Sequence, residues 1–372
     1  MLRTLLICAN ETRRLVIQAA ADETRLVRVV DSFERYPDPN SLTRVLSRFG
    51  PGVVIVDGDD LELALGCAGT VRREAPEAAI IGVNATRDRY GPLRQGIPVT
   101  IPYPPDVELL SDGLSVAVHR GDTRQVDKLI AFLPSKAGAG SSTIALNTAA
   151  AMAAMGKRTL LIDADMRSGV LSFMLNCNSV NSLQKALEAI SDQESLNWKS
   201  YVTRVHDIDF LLSARTAPSA PPTWAHYYAL VQSSLALYDM VLADLPELVN
   251  PATAEIVRSA RYIMMVTTQE VLPLKMVERR MRELIEWGVP RDRIKILVNR
   301  WHRKEINQQE IEKFLKQPVY ATFANDFPTV RRATMDGGPV SGSSGLGGSF
   351  QAFAQKLSGA KVSTGWLAKL RG

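Results

Sequence analysis

Three short stretches of this chain carry residues that together could hold a phosphate and a divalent cation. The first is residues 128–143, KLIAFLPSKAGAGSST. Its apolar run, 129–133, reads as a buried strand that breaks into a glycine-rich turn, Ser135-Lys136-Ala137-Gly138-Ala139-Gly140. Ser141, Ser142 and Thr143 then open a helix expected to run to about residue 155. Strand, glycine loop and helix N-terminus make an anion site, because backbone N–H groups wrap the anion and the helix dipole presents its positive end. Against the phosphate-loop pattern G-x-x-x-x-G-K-[ST], Ser135 stands in the first glycine position and Ser141 in the lysine position. Ser142 falls where a Mg²⁺-binding hydroxyl belongs. The second and third stretches, RTLLIDADMR and YDMVLADLP, end apolar runs with Asp163 and Asp165, and with Asp244. Carboxylates at the C-terminal ends of parallel strands face the crevice where an open α/β sheet binds its ligand. Plainer readings exist: a small-residue turn before a buried helix for the loop, a helix N-cap for Asp165 or Asp244.

Positioning these groups requires a sheet of parallel strands, and the second half of the chain alternates accordingly. Apolar runs at 160–162, 208–212, 240–243, 262–266, 294–298 and 319–321 are separated by helical patterns such as 274–287. That alternation predicts one mostly parallel sheet covered on both faces. Residues 217–222, APSAPP, read as a proline-rich surface loop, and 337–349 as a mobile Gly/Ser-rich stretch. Residues 1–120 alternate in the same way, with strands expected at 5–8, 26–30, 53–56, 79–83 and 97–101 and helices at 61–73 and 107–119. Five such strands predict a doubly wound, flavodoxin-like sheet. The expected fold class is therefore α/β, with two three-layer αβα domains at 1–120 and 127–360. A short polar linker, 121–126, joins them, and a tail, 361–372, follows.

At 372 residues the chain can bury two or three separate cores. Its 22% charged and 46% hydrophobic residues suit a soluble globular protein, and a net charge of +5 is too mild to mark a nucleic-acid binder. Cys8, Cys67 and Cys177 are dispersed, which suits a reducing, cytoplasmic compartment, and the four histidines suggest no metal site. The apolar run at 5–8 is too short for a signal peptide, and none approaches the roughly 18 residues of a membrane span.

Lys136 lies five residues before the usual lysine position, and K-[GA]-G-x-G-x-[ST]-T resembles the deviant Walker A loop of the MinD/ParA family. The two aspartate stretches follow in that family's order. The resemblance implies ATP and Mg²⁺ as cofactors, with the nucleotide on Lys136, Ala137, Gly138, Ala139, Gly140, Ser141, Ser142 and Thr143. It implies Mg²⁺ near Ser142, Asp163 and Asp244, and an attacking water oriented by Asp165. Asn299, in LVNR, resembles the family's adenine-reading Asn, and its plain reading is a turn residue. In that family the lysine at the Lys136 position reaches across a nucleotide-sandwich homodimer, so Lys136 is a catalytic candidate. A neutral Ser141 cannot offset charge developing in phosphoryl transfer, which predicts weak or absent hydrolysis.

The first domain, with VVIVDGDD and Asp57 ending its third strand, resembles a response-regulator receiver. Strand one is followed by Ala9-Asn10-Glu11 and strand five by Pro102-Tyr103-Pro104-Pro105, so the acidic pair and the lysine of that chemistry are missing. A degenerate receiver used for docking is expected, in which the negative charge added by phosphorylating Asp57 would be poorly compensated. The domain order, the loop and GGPVSGSSGLGGSFQAFAQKLSG together resemble the CpaE/TadZ family of Flp/Tad pilus localisation ATPases. That resemblance implies partners in the pilus and secretion machinery, including a secretion ATPase, and recruitment to the cell pole or inner membrane. A ParA-type rival would use Arg279, Arg280, Arg282, Arg291, Arg293, Arg300, Arg303 and Lys304 as a strip on DNA phosphates. Such a run is more often a solvated helix face. A tyrosine-kinase rival is disfavoured by Ser141 and by a tail, VSTGWLAKLRG, without tyrosine. That tail mixes apolar and basic residues and could make a peripheral membrane contact.

Overall fold

The computed structural model describes residues 1–84, 96–97, 99–121, 126–177, 182–191, 200–213, 222–248 and 250–359. The chain divides into two units, Met1–Gln125 and Val126–Gly372. The expected tail, most of the linker and all but the last residue of the APSAPP loop lie outside the described residues.

In the first unit, β1 (Leu2–Ile7), β2 (Val27–Phe33), β3 (Val53–Asp57), β4 (Ala79–Asn84) and β5 (Val99–Pro102) form a five-stranded sheet in the order β2-β1-β3-β4-β5. Every pairing is parallel, and this is the flavodoxin-like order. Its helices are α1 (Glu11–Thr24), α2 (Pro39–Phe49), α3 (Leu61–Glu74) and α4 (Val107–Gly121). Local sequence sets their starts. Asn10, Asp38 and Asp60 each accept a backbone N–H of the following turn, and Pro39 supplies a preset φ to α2. Leu5, Ile7, Val54 and Val56 pack on Leu42 and Leu46 of α2 and on Ala64, Ala68 and Val71 of α3. Each large side chain so buried contributes about 1.5–3 kcal/mol.

In the second unit the sheet runs β13 (Val319–Ala324), β12 (Ile294–Trp301), β11 (Ala260–Thr267), β6 (Val126–Pro134), β10 (Met240–Asp244), β7 (Thr159–Asp163), β9 (Ile208–Leu211), β8 (Thr203–Val205). All pairings are parallel except β8 with β9. β8 went unread in the sequence because its residues alternate half-buried and exposed. His206 and Asp207, with φ of 49° and 60°, turn it into β9. Strand alternation splits the core. Leu129, Ala131 and Leu133 face one helical layer, containing α8 (Trp224–Leu237) and α10 (Val271–Glu286). Ile130 and Phe132 face the other, containing α5 (Ser141–Ala154) and α13 (Gly345–Ser358). The remaining helices are α6 (Leu171–Met174), α7 (Leu183–Ser191), α9 (Pro251–Ser259), α11 (Gln308–Leu315) and α12 (Phe327–Met335).

One expectation needs correcting. The Gly/Ser-rich stretch is not all loop: Ser344 caps α13 by accepting the Gly347 N–H at 2.9 Å, and Leu346 and Gly347 are buried. Phe350, Phe353 and Leu357 recur at helical spacing and bury against the sheet, so periodicity and a cap outweigh glycine content. The stretch before it is tied down as well, because Val340 N–H donates to Asn147 Oδ1 of α5 at 2.7 Å.

Candidate functional site

The C-terminal ends of β6, β7, β10 and β12 bring the predicted residues to one rim. Between β6 and α5, Gly138 and Gly140 adopt φ of 80° and 91°, the left-handed conformation that only glycine takes without strain. Gly140 also has no room for a Cβ, because the Asn299 amide lies against it. Two carbonyls of the loop are held from the end of β12. Asn299 Nδ2 donates to Ala139 O at 2.8 Å, and Arg300 Nη2 donates to Gly138 O at 2.9 Å. Arg300, with a φ of 52°, was not singled out for this role in the sequence. One N–H of the Asn299 amide is thus committed to the loop, which leaves its second N–H and Oδ1. Lys136 is exposed, and its ammonium makes no hydrogen bond or ion pair among the described residues.

Ser141 does not point at solvent. It is 5% exposed, and its hydroxyl donates to Asp244 Oδ1 at 2.9 Å. Ser142 donates to the same carboxylate. Burial pushes the Asp244 pKa up to about 6, although the two serine hydrogen bonds act against the rise. Asp163 is wholly buried. Its Oδ2 accepts from Ser213 Oγ at 2.9 Å, while its Oδ1 has no partner. Burial, and then the charge of Asp244, push its pKa up to about 7. Gly169 closes over Asp163 and Ser213 so tightly that a Cβ would collide with both. Asp165 is turned onto its own loop, where its Oδ1 accepts the N–H of Arg167 at 3.1 Å and of Ser168 at 2.8 Å.

No group of three or more His, Cys, Asp or Glu is arranged to hold a metal ion among the described residues. A Mg²⁺ shared with a nucleotide needs fewer protein ligands, since phosphates and water complete its shell. The residues fit that role. Asp163 presents an orphaned buried oxygen, and Asp244 gathers two hydroxyls while carrying a charge that burial disfavours.

In the first unit Asp57 has a charge partner that the sequence reading did not assign. Arg13, from the first turn of α1, supplies the cation. Its Nε donates to Asp57 Oδ2 at 2.9 Å and its Nη2 bonds Oδ1, giving a bidentate pair whose side chains are 11% and 1% exposed. Cys8 Sγ donates to the same Oδ2 at 3.3 Å, Tyr36 holds the Asp57 carbonyl at 2.7 Å, and Tyr103 covers the guanidinium at 4.2 Å.

Most of the basic strip has partners in the fold, and Arg279, Arg291 and Arg300 are nonetheless exposed. Arg279 and Arg280 pair with Glu283, Arg291 and Arg293 donate to backbone carbonyls, and Arg300 holds the loop.

Comparisons with known proteins agree with this geometry. Residues 127–286 match the AAA domain family. The chain is 23% identical to the septum site-determining protein MinD of Thermotoga maritima over 245 residues, covering 63% of this chain and 89% of that one. It is 28% identical to tyrosine-protein kinase Wzc of Salmonella typhimurium over 153 residues, 40% of this chain and 21% of that one. The chain spans about a fifth to a half of the length of the kinase relatives it matches. A ParA family ATPase from Chlorobium tepidum superposes with a TM-score of 0.57 at 21% identity, covering 61% of this chain and 97% of that one. MinD from Pyrococcus horikoshii gives 0.51 at 21%, covering 66% and 98%. The second unit has the MinD/ParA fold. These matches support a P-loop ATPase domain of that superfamily at the coarse level, joined to a flavodoxin-like unit. No described helix is long and apolar enough to cross a membrane.

Proposed function

We propose that the chain is an ATP-binding scaffold of MinD/ParA type that dimerises over its nucleotide face, hydrolyses ATP slowly or not at all, and localises Flp/Tad pilus assembly and secretion. One observation carries the reading: the lysine position of the loop holds Ser141, whose hydroxyl is spent on Asp244, while Lys136 stands exposed and unpaired among the described residues. Ser141 cannot span the phosphates or offset charge developing during transfer. The loop's backbone donors still suffice for binding, with Ser142, Asp163 and Asp244 as the Mg²⁺ residues and Asn299 Oδ1 facing adenine. Bound Mg²⁺ would neutralise phosphate charge. Asp165 is assigned to orienting water through Oδ2, since its Oδ1 accepts the Arg167 and Ser168 amides. Lys136 is assigned to the phosphates of a second copy, so full cationic support arrives only on dimerisation.

Other structures support parts of this reading. MinD from Pyrococcus horikoshii was solved with Mg-ADP, and MinD from Aquifex aeolicus, with a TM-score of 0.54, was solved with MinC. The first unit is assigned to docking pilus or secretion proteins, because Arg13 replaces phosphorylation chemistry around Asp57. A cytoplasmic protein drawn to the pole or inner membrane follows from that role. Partitioning on DNA is the alternative, with Arg280 and Arg293 of its strip engaged within the fold and Arg279, Arg282, Arg291, Arg300, Arg303 and Lys304 exposed. The test is to incubate the chain with labelled Mg-ATP and identify the nucleotide that stays bound. Intact ATP with little released phosphate is expected, and turnover at ordinary P-loop rates would reject the scaffold reading.

A further inference from the structure

One carboxylate occupies a backbone donor of the glycine-rich loop. Glu247 Oε2 accepts the backbone N–H of Ala137, inside the loop, at 2.9 Å. Asn299 and Arg300 hold the loop by its carbonyls, at Ala139 and Gly138, and the Val266 carbonyl takes the Ser135 N–H as a continuation of strand pairing, so Glu247 supplies the side-chain anion. Glu247 bonds an N–H, and loop N–H groups are what an incoming phosphate uses.

The segment carrying Glu247 is pinned on either side. Leu245 N–H donates to Phe132 O at 2.9 Å, and Asn250 Oδ1 accepts the Thr253 N–H at 2.9 Å to cap α9. Between those pins Glu247 is half-buried and Leu248 is 74% exposed, so residues 246–248 have little packing of their own. Their hold on the loop is the Glu247 carboxylate.

We propose that Glu247 is an affinity-determining residue of the nucleotide site: an internal anion that holds the Ala137 N–H and must be displaced by a phosphate. The proposal rests on the nucleotide-binding reading above. Displacement releases residues 246–248, so occupancy of the loop is carried one residue further to the exposed Leu248.

Calorimetric titration of the full chain with Mg-ATP tests this, comparing wild type with Glu247→Ala and Glu247→Asp. Aspartate keeps the charge but is one methylene too short to reach Ala137, which separates competition for the donor from simple repulsion. Loss of one charge-assisted contact that competes with nucleotide should tighten binding roughly three- to tenfold in both variants. Tighter binding in Glu247→Ala with none in Glu247→Asp would mean repulsion alone and would overturn the competitor role. Equal affinities in all three would overturn it too, while leaving the nucleotide reading intact. Absence of binding in every chain would overturn both. Glu247 lies at the surface of a connection, and matching circular dichroism spectra establish that the variants fold.

Discussion

Removing Arg13 should unfold the first unit selectively. Asp57 is 1% exposed and both its oxygens are bonded to the Arg13 guanidinium, itself 11% exposed on the side chain. Arg13→Met keeps the stem but strands a buried carboxylate, with the Cys8 thiol as its remaining side-chain donor among the described residues. Breaking one partner of such a pair costs about 3–5 kcal/mol, and replacing both by apolar groups is often near neutral. Adding Asp57→Leu to Arg13→Met should therefore recover most of the loss, with a coupling of roughly 2 kcal/mol or more. The chain offers a built-in separation of signals, because all five tryptophans, Trp198, Trp224, Trp287, Trp301 and Trp366, lie beyond residue 125. In urea, far-ultraviolet circular dichroism should show an earlier transition for Arg13→Met, while tryptophan fluorescence stays at the wild-type midpoint. A cost under about 1 kcal/mol, or a double variant no better than the single, would refute the assignment of Arg13 as the charge partner that stabilises Asp57.

Further outcomes follow from the same contacts. A small phosphodonor such as acetyl phosphate should leave Asp57 unlabelled in the wild-type chain, since both carboxylate oxygens are occupied; stoichiometric labelling by mass spectrometry would refute this. Asp163 has a folded pKa near 7 against an ordinary value of 3.8, so the nucleotide- and metal-free fold is favoured by its protonated form. That stabilisation is complete below about pH 4 and is lost as pH rises through 7, for a change of about 4 kcal/mol at 1.36 per unit. Asp163→Asn should therefore match wild type in acid and exceed it in stability at pH 8 in chelator, and a pH-independent difference would contradict the burial argument. Burial also pushes the Cys8 thiol to about 12 and Cys67 to about 11, whereas Cys177 is half-buried. A thiol reagent at pH 8 should thus modify one site per native chain quickly and the other two only on unfolding. Ser141→Lys should raise phosphate release from Mg-ATP at least tenfold, and an unchanged rate would reject serine as the reason for slow turnover.

Much of the architecture could be read before any coordinates. The apolar runs alternate between inward faces, so 129–133 and 53–56 announce fully buried parallel strands, and Asp163 and Asp244 close two of them. The loop could be read because its glycines and serines sit at fixed offsets from a strand and a helix. What stayed hidden depends on distance in sequence. Arg13 meets Asp57 across 44 positions, Glu247 meets Ala137 across 110, and Arg300 meets Gly138 across 162. No local pattern encodes such meetings; they follow from strand order. The start of α13 was misread for a different reason: glycine content suggested a loop, while the cap at Ser344 and the phenylalanine spacing decided for helix.

The central claim is a nucleotide-gated dimer built on Lys136. Molar mass by light scattering, without nucleotide and then with Mg-ATP, addresses it directly. Wild type should move from one chain, 40.8 kDa, to twice that mass and remain there without phosphate release, while Lys136→Ala stays a monomer with ATP bound. A dimer already present without nucleotide, or a monomer indifferent to Mg-ATP, would contradict the account.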